Sequence, residues 1–282
     1  MIEFQYYNSS YIQKNPENPI KLNLSFKDIE YSISKNTGGG KKGVFASYIT
    51  EFDCSEQTKW WFTIKDSRYD LSILPSKKRY EITKAKKYCI SKKINPNEYI
   101  LDLFSVYEKS FLGYSECEKP RNINISDFEK YLNELLSEDK YEFYACFLKE
   151  TNFLIGFLIV EYREMCIGLK QLKTIPDYEK FNSNASLLDY FLTDINKKLE
   201  NKTIFISNGS RNIRHKTNFN AYLEKYFGFR KAYAKLRIVY RFPFGFLVAI
   251  LKPFGKFLEH TKNPFLYNIY CVLKMDSYKY KE

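Results

Sequence analysis

A chain of 282 residues, 44% of them hydrophobic, is long enough for one large domain or two small ones and has ample apolar content for a core. Its net charge of +12 is regional: residues 76–93 hold eight Lys/Arg against one Glu, residues 211–241 hold nine against one, and the remainder is slightly acidic. Such clustering favours an anionic partner (a phosphorylated cofactor, a membrane face or nucleic acid), while six cysteines without a Cys-x-x-Cys pair and two distant histidines, His215 and His260, argue against a structural zinc site.

The first residues lack a basic start followed by an apolar run, so no signal peptide is expected. The longest apolar run, residues 242–251, is about half of what a membrane span needs. Several cysteines lie in strand-like runs and read as small core residues in a reducing cytoplasm.

Taken in order, residues 1–75 are rich in short strands, at 21–26, 43–49 and 59–66. The stretch NTGGGKKG at 36–43 lacks the spacing of a phosphate loop, because lysines stand where a Gly and a Ser/Thr are needed; it reads as a flexible loop. Residues 71–87 form a basic helix after Pro75, with Ser76 placed to cap it, and residues 88–94 a short strand. Ile100, Leu103, Phe104, Tyr107 and Phe111 recur at helical spacing. The next helix opens with a Ser126/Glu129 capping box and buries Phe128, Tyr131, Leu132 and Leu135. Residues 141–164 read as a hairpin about Glu150-Thr151-Asn152, 165–175 as a third strand, and 176–184 as a loop. Leu187, Leu188, Phe191, Leu192, Ile195 and Leu199 stripe one helix. Residues 204–241 then supply a strand that ends near Asn208-Gly209, a helix, and a last strand, with Arg211, Arg214, His215 and Lys216 crowded after the Gly turn. Residues 88–241 are therefore a mixed α/β unit with a mainly antiparallel sheet and flanking helices.

That order resembles the GNAT superfamily of acyl-CoA-dependent N-acyltransferases. Asn218, Gly228 and Phe229 match the outline of the family's final helix, and Gly228 suits a left-handed helix stop. Within the superfamily the chain is most similar to the tandem Fem-type and CelD/BioF-like branch, through the basic segment 76–87, the motif at 206–219 with Gly209, Lys216 and Phe219, and residues 175–188. The resemblance covers roughly residues 60–240. It implies a strand-rich unit over 1–75, a shortened GNAT-like half, then a GNAT-like domain over 76–241 and a basic aromatic tail over 242–282. The implied co-substrate is acetyl-CoA or another acyl-CoA, with no metal.

Two features depart from the family. The Arg/Gln-x-x-Gly-x-Gly/Ala phosphate loop is absent after Ile175, and Asn182, Ser183 and Asn184 stand there as the expected helix start and phosphate contacts; Asn218, at the start of the final helix, is the further cofactor-binding candidate. The tyrosine position of the final helix is Glu224, with Tyr222 and Tyr226 two residues to either side. Amine acylation needs a polarised thioester carbonyl and an unprotonated amine. His215, Glu161, Tyr222 and Tyr226 are the candidate acid–base groups, and for His215 contact with a phosphate or sugar is the favoured role. Tyr178, Gly209, Arg211 and Lys216 are the candidates for contacting the acceptor or an anion, Arg211 through its planar fork. The expected acceptor is a small molecule or a lipid-linked sugar, such as an amino sugar in surface-polysaccharide synthesis, met in the cytoplasm or at the inner face of an anionic membrane. Two alternatives stay open: tRNA-dependent aminoacyl transfer, and a non-catalytic GNAT-fold protein that binds membrane or nucleic acid. The segment at 246–258 reads either as an interfacial helix on anionic lipid or as packing for the protein's own sheet.

Overall fold

The computed structural model describes residues 4–7, 10–13, 45–112, 114, 124–163, 166–214, 218–240 and 242–281. The expected strand at 21–26 and the glycine loop at 36–43 lie outside them. The chain forms two compact units, neither contiguous in sequence: residues 1–62, 210–217 and 231–282 make the first, and residues 63–209 and 218–230 the second.

Except for the last, which lies almost wholly in the first unit, the strands expected of residues 88–241 belong to the second unit. Its strands are β5 (Cys89–Ile94), β6 (Tyr141–Leu148), β7 (Leu154–Tyr162), β8 (Cys166–Thr174) and β9 (Phe205–Ser210), in the order β9-β8-β7-β6-β5. All neighbours are antiparallel except β8 and β9, which run parallel. Residues 204–208, expected in the sheet, are there from Phe205 onward.

Helices α1 (Ser76–Tyr88), α2 (Ile100–Lys109), α3 (Ile125–Leu136), α4 (Ser183–Asp194), α5 (Asn196–Glu200) and α6 (Phe219–Phe227) flank it. Side chains of a strand alternate between faces, and β6 does so cleanly. Phe143, Ala145 and Phe147 join Leu103, Val106, Phe128 and Leu132 of α2 and α3. Tyr144 and Cys146 join Leu187, Leu188, Phe191 and Leu192 of α4. Both faces of the central hairpin are covered, which is why β6 and β7 read as apolar runs rather than as an alternating pattern. The α4 stripe is buried as its spacing predicts.

Three local expectations are corrected. Ser76 is the first residue of α1 and not its cap; Pro75 precedes it and no side chain caps that end. The cap of α3 is Asn124, whose side chain accepts from the Asp127 N–H at 2.9 Å, so Ser126 sits inside the helix and no capping box forms with Glu129. Residues Pro176–Phe181, expected as a loop, make a 3-10 turn that leads into α4. Gly228 does end α6 in a left-handed conformation, φ +68°, and Phe229 is buried beside it.

In the first unit the strand order is β1 (Phe4–Tyr7), β2 (Ser10–Gln13), β3 (Phe45–Cys54), β10 (Arg230–Tyr240) and β4 (Trp60–Lys65). Strands β4 and β10 each have residues in both units. After β10 come α7 (Phe244–Leu251), α8 (Gly255–Leu258) and α9 (Pro264–Asp276). No described helix is long and apolar enough to cross a membrane.

Candidate functional site

The second unit opens where its two parallel strands part. β8 and β9 pair over only three positions, Cys166 with Phe205, Ile167 with Ile206 and Gly168 with Ser207. β8 then runs on to Thr174, still laddered to β7. At Lys170 its register to β7 slips: Ile159 faces Gln171 while Val160 faces Leu169, so β8 carries one extra residue. Such a bulge bends and twists its strand. The last β8–β9 pair, Gly168 with Ser207, precedes this bulge, and beyond it no ladder joins the two strands among the described residues; this parting toward their carboxyl ends is termed the wedge. Residues Gly168–Thr174 are all partly exposed along this stretch. In open sheets that end is the usual place for a ligand.

Helix α4 begins at that end, because it follows β8 through the 3-10 turn. Asn182 stands before it in a left-handed conformation, φ 56°, and its side chain makes no capping bond. The Ser186 N–H is taken by the Asn182 carbonyl at 3.0 Å. Ser183 is buried, and Asn184 is partly exposed. The first-turn N–H groups of α4 are thus left without a side-chain cap, at the positive end of the helix. Tyr178 lies in the 3-10 turn with its ring against Phe153 and Phe181, at 5.7 and 6.2 Å between centroids.

On the β9 side Gly209 has φ +83°, and nothing stands within 4 Å of where a Cβ would be. Its N–H donates to Ser207 Oγ at 3.0 Å, and Asn208 Nδ2 donates to Asn220 Oδ1 of α6 at 2.6 Å. Asn218 precedes α6 and is exposed, with no side-chain cap bond.

Tyr222 and Tyr226 are brought together around a residue that the sequence reading passed over. Lys78 of α1 is 1% exposed. Its ammonium lies 4.4 and 4.5 Å from the two ring centres, donates to the Tyr222 hydroxyl at 3.2 Å and pairs with Glu81. Burial, then the charges of Glu81 and Tyr226, push the Tyr222 phenol well above its ordinary range. Lys78 shares a helical face with the buried Ile82 and Ala85, and that spacing was the available signal.

Glu161 is the penultimate residue of β7, hydrogen-bonded by Arg163 at 2.9 Å, with Lys140 at 3.5 Å. Burial alone would raise its carboxyl; the Arg163 bond and charge, with Lys170 and Lys140, hold it below the usual carboxylate range. A carboxylate so held is a weak base at neutral pH. His215 and Lys216 lie outside the described residues.

Arg211 belongs to the first unit. Its guanidinium sits 4.2 Å from the Trp61 ring and 3.8 Å from the Tyr278 ring, and Nη1 donates to the Lys59 carbonyl at 2.9 Å. Arg214 donates from Nη2 to Asn268 Oδ1 at 2.9 Å, and its carbonyl accepts from the Tyr267 hydroxyl. Both arginines are held against the C-terminal segment. Among the described residues no cluster of three or more His, Cys, Asp or Glu side chains could hold a metal ion.

No family model matches the chain, and no curated protein matches it. Solved structures do. The C-terminal domain (DUF2156) of an Agrobacterium fabrum protein named as a lysylphosphatidylglycerol synthetase is 8% identical, with a TM-score of 0.50 over 88% of this chain and 83% of that one. AAC(6')-Iy, solved with the bisubstrate analogue CoA-S-monomethyl-acetylneamine, is 10% identical over 38% of this chain and 70% of that one, TM-score 0.29. A GNAT family acetyltransferase of Staphylococcus aureus is 17% identical over 40% and 81%, TM-score 0.29. What the comparison with the DUF2156 domain establishes is the fold alone: a mixed, mainly antiparallel α/β sheet with flanking helices.

Proposed function

We propose that this protein is an acyltransferase that moves an acyl group from a CoA thioester to an amine. The observation that carries this reading is the bulge at Lys170 with the early end of the β8/β9 ladder, which frees backbone groups of β8 inside the sheet. An N–H there can polarise a thioester carbonyl. The uncapped start of α4, at Ser183 and Asn184, faces the same end and suits a phosphate. In the reaction the amine nitrogen bonds to the thioester carbon and the C–S bond breaks. The proton lost by the nitrogen ends on the departing thiol. An amino sugar fits the acceptor, and the Fem-type or CelD/BioF-like motifs support that placement within the superfamily.

A second reading is aminoacyl transfer from charged tRNA. It is supported by the basic segment at 76–93, with eight Lys/Arg against one Glu, which suits a polyanion. Calorimetry separates the two. Acetyl-CoA should bind, and Asn184→Asp should weaken it roughly tenfold by setting a negative charge against the phosphates, without loss of stability, since an acid at a helix start is favourable. Thiol release on adding an amine completes the test. Binding of charged tRNA alone, with a steep salt dependence, would replace the first reading by the second. Binding of neither would leave a non-catalytic GNAT-fold protein.

A further inference from the structure

The C-terminal helices of the first unit break the pattern of every helix around the other sheet. α7 has the sequence FGFLVAIL, without one polar side chain, yet none of its residues is buried. Phe246 is 67% exposed and Ile250 49%. Phe242 at 88%, Phe257 at 82% and Phe265 at 70% extend the apolar set to either side. Scattered apolar side chains on a surface are ordinary; a concentration of this size within 24 residues is not. Leaving a large apolar side chain in water forgoes about 1.5–3 kcal/mol, so an apolar helix with none of its side chains buried is a costly thing to keep without a partner.

Charge identifies the partner. Residues 242–275 carry four lysines and a single acid, Glu259. Beside α7, a pocket of about 440 Å3 is lined by Arg237, Lys252, Lys279 and Lys281, with Asp276 and Tyr280. Its one carboxylate is already engaged, by Lys252 at 2.6 Å and by the Tyr240 hydroxyl at 3.0 Å. With Lys252 and Asp276 paired to each other, Lys279 and Lys281 leave the lining with a net positive charge. Lys252 directly follows the last residue of α7, so the pocket adjoins the apolar helix. We infer that this face docks on an anionic phospholipid bilayer, with Phe246, Ile250 and Phe257 entering the acyl region and the pocket of Arg237, Lys252, Lys279 and Lys281 receiving a phosphodiester headgroup. An apolar helix rimmed by cations is the composition of an interfacial anchor. A second copy of the chain fits less well, because a two-fold contact would set this cationic pocket near its own image. The inference stands apart from the acyl-transfer reading and draws on none of its residues.

Co-sedimentation of the full chain with vesicles tests it. Binding is expected to vesicles of phosphatidylcholine containing phosphatidylglycerol and not to phosphatidylcholine alone, and to weaken as salt rises. The double variant Phe246→Ser, Phe257→Ser should weaken it by at least tenfold. Lys279→Ala should weaken it roughly fivefold, as should Lys281→Ala. These positions are exposed, so unchanged circular dichroism is expected and separates lost docking from lost folding. Failure to bind anionic vesicles, equal binding to neutral ones, or binding unmoved by the serine variant overturns the inference. So does a concentration-dependent dimer, abolished by the serine variant, in a protein that ignores vesicles.

Discussion

The ammonium of Lys78 rests between the rings of Tyr222 and Tyr226 and donates to the Tyr222 hydroxyl at 3.2 Å. A buried cation is tolerated only when paired and hydrogen-bonded, and here Glu81 and two ring faces share the task. Lys78→Ala removes the cation and leaves Glu81 partly buried without it. A loss of about 3 kcal/mol is expected in urea unfolding. Tyr222→Phe keeps the ring and should cost about 1 kcal/mol. If Tyr222 also donates a proton in the reaction, Tyr222→Phe lowers kcat far more than that stability change explains.

Lys65 gives a pH dependence with a definite sign. It is 2% exposed, and its ammonium donates to Ser67 Oγ at 3.3 Å, the one hydrogen bond it makes among the described residues. Burial lowers its pKa from 10.5 to about 8, with the Asp66 charge opposing in part. The unfolded chain keeps this proton up to the ordinary lysine value, so between those two pH values it holds more protons than the folded one. Stability from this site therefore rises with pH across that window. Lys65→Met should be more stable than the parent at neutral pH by about 2 kcal/mol, and the gap should close as the medium approaches the ordinary lysine pKa. Denaturant midpoints of both proteins over that range check it.

Gly156 sits opposite Thr174, at the end of β8 beyond the bulge. A Cβ there would stand 2.7 Å from Thr174 Cγ2, 3.2 Å from the Lys173 carbonyl and 3.3 Å from Leu187 Cδ1. Thr174 is β-branched and the carbonyl is backbone, so neither yields easily. Gly156→Ala should cost roughly 1–3 kcal/mol. It should also weaken acetyl-CoA binding per folded molecule, because the clash pushes on the strand that borders the wedge. Unfolding curves and calorimetry on one preparation separate the two effects.

Arg211 stands in sequence among the cations that follow the Gly209 turn, and the structure gives it a second occupation. Stacked on Trp61 and Tyr278, it contributes to packing of the first unit. Arg211→Ala should lower stability by roughly 1–2 kcal/mol. Arg211→Lys should recover less than half, since an ammonium cannot stack as a planar guanidinium does. A thermal melt unchanged by either substitution would return Arg211 to the free-cation reading.

How much of this was legible differs by residue. The order of elements from Cys89 to Tyr240 follows from periodicity, because α4 and the β6–β7 hairpin bury long regular stripes. Gly228 was legible through its backbone demand. The caps were not: Asn124 and Ser126 are equally good capping residues, and only the chain's entry angle chooses between them. The bulge at Lys170 leaves no mark in the sequence, since one extra residue alters register and not composition. Lys78 was hidden because a lysine in a basic helix is normally solvated; the decision lay with Tyr222 and Tyr226, some 144 residues away.

The two-sided burial of β6 and β7 has a dynamic consequence. Amide hydrogens there are laddered on both sides and roofed by α4 on one face and by α2 and α3 on the other, so only a global opening exposes them. They should be the last in the chain to exchange with deuterated solvent. The amides of β8 that point toward β9 beyond Gly168 have no such ladder, although they lie inside the same sheet. They should exchange early, and a molecule seated in the wedge should slow them selectively, which makes those few amides a reporter of occupancy that requires no turnover.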